Sequence, residues 1–74
     1  MDATTVAYEW GLKWALQREA LSLTEEERYN LVEEVMRDWD IKEGREGYPI
    51  LTDSQWEDAC YCIRDELSER LHED

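Results

Sequence analysis

The chain of 74 residues predicts an all-α fold, a small domain of three helices. Two helix-start signatures, apolar residues at three- and four-residue steps behind each, and one cluster of turn residues between them predict it. The helices are expected over about 4–21, 24–40 and 52–72, and no repeat or linker divides the 1–74 domain.

The middle helix has the clearest start. Thr24 and Glu27 match a capping box, in which each side chain accepts the other residue's unpaired amide. Glu25, Glu26 and Glu27 also stand where the helix dipole favours negative charge. Beyond them Leu31, Val32, Val35, Met36 and Trp39 form an apolar stripe, with Glu26, Glu27, Glu33, Glu34 and Asp38 on the opposite side. The last helix repeats the pattern. Thr52 and Gln55 form a second box, and Leu51 can staple onto Trp56. Trp56, Ala59, Cys60, Ile63, Leu67 and Leu71 make a seam, flanked by an acidic arc of Asp58, Asp65, Glu66, Glu69 and Glu73. Tyr61 and Arg64 lie off both faces, while Trp39 and Trp56 are expected in the core.

The first segment reads two ways. Val6, Tyr8, Trp10, Leu12, Trp14 and Leu16 alternate as in a strand, which gives an α+β alternative with residues 4–16 extended. The length is unusual for a strand in a small domain, and the intervening residues favour helix. As a helix the segment carries two opposed stripes: Tyr8, Leu12, Ala15 and Leu16 on one side, Val6, Trp10, Trp14 and Leu21 on the other. One can close on the later helices. The second then needs another cover, from the core, a second subunit or a partner. The segment from Glu43 to Pro49, with Gly44 and Gly47, is the one strong punctuation, and it is expected to expose Tyr48 beside a rigid turn.

Charge narrows the classes of function. Twenty acidic residues against eight basic ones give a formal charge of −12, a field that repels nucleic acid and anionic membrane and attracts basic protein. Four Trp and four Tyr separate the chain from the aromatic-poor composition of disordered tails. No apolar run approaches a membrane span. Cys60 and Cys62 are too close to bridge without strain, and the absence of a signal peptide points to two reduced thiols in a cytoplasmic protein. So small a core invites a supplement, which leaves a homodimer open.

No constellation carries chemistry. His72, the single histidine, lies in the last turn without an orienting partner. Cys60 and Cys62 point to different sides of a helix, and no second ligand pair completes a metal site. Paired acids such as Glu33 with Glu34 lack a cleft, and there is no calcium loop or phosphate-cradling Gly loop. The expectation is a protein that is no enzyme and needs no metal or cofactor.

Collectively the acids exceed what solubility asks, a net charge of about two to eight. Carboxylates on successive turns form rows that can imitate nucleic-acid phosphates, so a protein that grips nucleic acid through Lys and Arg would accept this surface instead. Glu26, Glu27, Glu33, Glu34 and Asp38 are the candidates for one row, and Asp58, Asp65, Glu66 and Glu69 for the second. Tyr8, Trp10, Trp14 and Tyr48 form the alternative site, an aromatic face for a structural or adaptor module. In length, charge and lack of catalytic equipment the chain resembles the small acidic inhibitors that bacteriophages make against host defence nucleases, anti-CRISPR and anti-restriction proteins among them. That resemblance implies a nucleic-acid-binding protein or nuclease complex as partner, met in the host cytoplasm.

Overall fold

Asp2 opens the first helix: its carboxylate accepts from the Thr5 amide at 2.8 Å, and α1 follows over Ala3–Gln17. The computed structural model describes residues 2–72, and among them there is no strand. The helices α2 (Glu25–Lys42) and α3 (Asp53–Leu71) complete the all-α fold. Both capping boxes are formed. The Thr24 amide donates to Glu27 at 3.0 Å and the Glu27 amide to Thr24 at 3.2 Å. The Thr52 amide donates to Gln55 at 2.9 Å and the Gln55 amide to Thr52 at 3.1 Å.

The helices run up, down and up. Trp10 meets Trp39 while Arg18 meets Glu34, so α1 and α2 are antiparallel. The Trp56 indole reaches the Met36 carbonyl while Arg64 reaches Glu33, which sets α3 antiparallel to α2. The body measures 37 × 20 × 19 Å. Its core is Leu31, Val32, Val35, Met36 and Trp39 from α2 against Ala59, Cys60, Ile63 and Leu67 from α3, with Leu51 at one end.

What α1 contributes differs from the expected pair of opposed stripes. Its buried residues are Ala7, Gly11 and Ala15, spaced one turn apart; Ala15 belongs to the first stripe, and Ala7 and Gly11 lie between it and the second. The three small residues join the two sides into one broad apolar face. Tyr8, Leu12 and Leu16 form one flank and Val6 and Trp10 the other, all packed on the core. No separate cover is needed for the second stripe as a whole. Gly11 marks the closest approach: a Cβ there would collide with Ile63 Cδ1 and stand 3.2 Å from Met36 Sδ.

The first helix also ends sooner than the expected Leu21. Its chain turns at Arg18, passes through Glu19 in the left-handed region (φ 60°), and makes one 3₁₀ turn over Ala20–Ser22. That turn drives Ala20 fully into the core and puts Leu21 outside the α1 stripe, largely exposed. The Arg28 guanidinium then donates to the Leu23 carbonyl at 2.6 Å.

The 43–52 connection is folded onto the bundle. Gly44 and Gly47 take φ of +84° and +85°, a region only glycine adopts without strain. The Gly44 amide donates to Tyr48 O and the Tyr48 amide to Arg45 O, both at 2.9 Å. Glu43 accepts from the Leu51 amide at 3.0 Å, fixing the entry to α3. Tyr48 is not presented to solvent as the turn suggested. Its ring stands edge-on to Trp39 at 5.2 Å and to Trp10 at 6.2 Å, closing an aromatic cluster over the end of the core.

Candidate functional site

The acids of α2 do not form one free row. Glu27 is held in the capping box, where the Thr24 amide keeps its carboxyl below the usual range. Glu33 leans toward α3, lying 3.6 Å from Arg64, and it also pairs with Arg37 at 3.6 Å on its own helix. Glu34 leans the other way, to Arg18 at the C-terminal cap of α1, at 3.2 Å. These pairs tie α2 to both neighbours. Among the described residues Glu26, Glu27 and Asp38 make no ion pair, and of these Glu27 is engaged in the capping box.

The α3 acids stand differently. Glu66 pairs with Arg70 at 2.9 Å. Asp58, Asp65 and Glu69 are exposed and make no ion pair among the described residues. Seven and then four residues apart, they lie along one side of the helix, separated by about 10 Å and 6 Å along its axis. This is the cleanest line of negative charge on the molecule.

Arg64, which the sequence left unassigned, is a central positive group. Its guanidinium lies 3.4 Å from the centre of the Tyr29 ring and 3.6 Å from Glu33, and its side chain is 24 % exposed. Tyr29 had no part in the expected site either. The signal lay in the alignment of two helices, which a single-helix pattern does not contain.

The aromatic candidates separate. Trp39 is fully buried, and Trp56 is half-buried with its indole donating to the Met36 carbonyl at 3.3 Å. Trp10 packs edge-on against Trp39 at 5.4 Å. Tyr8 lies half-buried on the opposite flank, and burial, aided by Glu66, raises its phenol above the ordinary value. Trp14 alone keeps a large free surface, 43 % exposed, tilted against Trp10 at 6.3 Å.

Trp14 stands in a groove between α1 and α2. Trp10, Trp14, Val35 and Ile41 supply apolar surface and Arg18, Asp38 and Lys42 the charged edge, around a cavity of about 350 Å³. Asp38 from the expected acidic row and Trp10 and Trp14 from the alternative aromatic face thus share one site. A larger cavity, about 500 Å³, opens between the end of α2 and the start of α3, among Arg37, Asp40, Glu43, Asp53, Trp56 and Glu57. There burial and then the Glu43 charge raise the Asp40 carboxyl, with Trp56 and Arg37 opposing.

Among the described residues no three His, Cys, Asp or Glu side chains are grouped to hold a metal ion. Cys60 is buried, and burial pushes its thiol up to about 11, so it is protonated at neutral pH. Cys62 is exposed beside Tyr61, Asp65 and Glu66. His72 caps the C-terminus of α3. Among the described residues no helix is long and apolar enough to cross a membrane. Compared with known proteins, the chain matches no family model, and no curated protein or solved structure is significantly similar to it.

Proposed function

We propose that this chain is an acidic binding protein that occupies the basic, nucleic-acid-binding surface of a partner protein and thereby inhibits it. The observation that carries this reading is the surplus of acid left after internal pairing. A formal charge of −12 sits on a body 20 Å thick, and Asp58, Asp65 and Glu69 line one helix face with no ion pair among the described residues. A partner that displaces counterions from nucleic acid can displace them from this face, and the match strengthens encounter at low salt. The partner is read as a nucleic-acid-binding protein or a nuclease complex of the bacteriophage-defence kind.

The test is capture of the partner by immobilised protein, followed by competition. The expected outcome is a nucleic-acid-binding protein released by moderate salt, displaced by DNA or RNA, and lost when Asp58, Asp65 and Glu69 are changed to Lys together. A captured partner indifferent to salt and nucleic acid overturns the reading.

A second reading is favoured by one specific observation, the exposure of Trp14 beside Ile41, 43 % and 71 % respectively. In it the chain is a structural or adaptor module associating through this apolar face. Trp14→Glu would then abolish association while the α3 charge reversals leave it intact.

A further inference from the structure

We infer that the groove between α1 and α2 is a docking site for a basic amphipathic helix of the partner, an apolar anchor that the charge field alone does not supply. The inference rests on the reading that the partner is basic, and it names the structural element that the partner presents.

The groove floor is apolar and shaped by rigid parts. Trp10 is locked against Trp39 and Tyr48, Val35 belongs to the core, and Trp14 and Ile41 extend the apolar surface outward. Trp10 and Trp14 lie one turn apart, a spacing that receives apolar side chains one turn apart on a facing helix. The rim itself is close to neutral. Arg18 is turned to Glu34 at 3.2 Å, and the Lys42 ammonium lies 5.7 Å from the centre of the Tyr48 ring. Arg18 is thus paired with an anion, whereas Lys42 keeps its charge. Asp38 and Lys42 make no ion pair among the described residues, so they offset each other and the whole-molecule charge decides the occupant. An apolar helix face fits this floor, and the charge of −12 draws in one bordered by Lys or Arg. An acidic helix would be repelled by the same field. A second copy of the chain carries that field itself, so it is the less suited occupant.

The probe is a synthetic helical peptide of Leu and Lys, with the leucines one turn apart, compared with a Gln and Lys peptide of equal charge. Binding is measured at low ionic strength together with the indole N–H resonances of the protein. The expected result is that the Leu/Lys peptide binds at least about tenfold more tightly, the scale on which a buried anchor acts. The Trp10 and Trp14 indole signals shift with it, and Trp14→Ala removes about the same factor. Asp38→Lys weakens binding more than Glu26→Lys, which changes the net charge equally but lies about 18 Å away along α2. Both Asp38 and Trp14 are exposed, and circular dichroism verifies that each variant folds.

Equal binding of the two peptides, with shifts centred on Asp58, Asp65 and Glu69, overturns the groove and leaves the basic-partner reading standing. Binding of neither peptide overturns both. A dimer in the free protein that Trp14→Ala dissociates assigns the groove to a second copy and overturns the proposal.

Discussion

Gly11 has Ile63 and Met36 where its side chain would be, and that close contact sets how near α1 comes to both other helices. Gly11→Ala gains helix propensity but forces the helices apart, and overpacking of this kind costs about 1–3 kcal/mol. A urea unfolding curve of the variant checks it, and the expected outcome is a lower midpoint. Asp40 offers the opposite case. Burial raises its carboxyl, so the folded state disfavours the ionised form. The associated stability is present below the unfolded value of about 3.9 and is lost as pH rises through the folded one. Asp40→Asn is therefore expected to raise the melting temperature at pH 7, with the gain vanishing in acid. Asp2 and Glu27 act with the reverse sign, because hydrogen bonds from the Thr5 and Thr24 amides lower both. Their contribution is present above about pH 4 and is lost as pH falls through the folded values.

Among the elements, α2 and α3 were legible because their starts are written in side chains three residues apart and their buried faces in large residues. Thr24, Glu27, Thr52 and Gln55 needed only local geometry to be found. The first helix was harder. Ala7, Gly11 and Ala15 form its buried ridge, and a pattern that weighs large apolar residues passes over them, so its two flanks look like rival faces. Its end at Gln17 was hidden for another reason: Glu19 takes a left-handed conformation that sequence assigns to Gly or Asn. Of the candidate site, the α3 acids were legible from helical spacing alone. The pairing of Glu33 and Glu34 to different neighbours was not, because it depends on which helix lies on each side. Arg64 carries a prediction at this scale. Arg64→Ala removes the Tyr29 stacking and the Glu33 pair between α2 and α3, and is expected to cost about 1 kcal/mol. Thermal denaturation measures the loss, and Glu33→Gln in the same background should add less than it does alone.

For the whole molecule the surplus charge opposes the compact state. Only four ion pairs are formed among the described residues, against a formal charge of −12. Exposed charges repel across distances comparable with the Debye length, about 8–10 Å at 0.1–0.15 M salt, and the body is only 20 Å thick. Added sodium chloride is therefore expected to raise the melting temperature while it weakens partner binding. Scanning calorimetry and a binding titration over the same salt series check the two slopes, and parallel slopes would contradict the acid surface as the shared cause.

The close seat of Gly11 against both Ile63 and Met36 has a consequence for the order of synthesis. When residue 42 leaves the ribosome, α1 and α2 can pair, but the ridge of Ala7, Gly11 and Ala15 still lacks half of its cover. Ile63 arrives about twenty residues later, with the middle of α3. The nascent hairpin thus waits with its smallest and most closely fitted surface open, and the last helix acts as the bolt of the assembly.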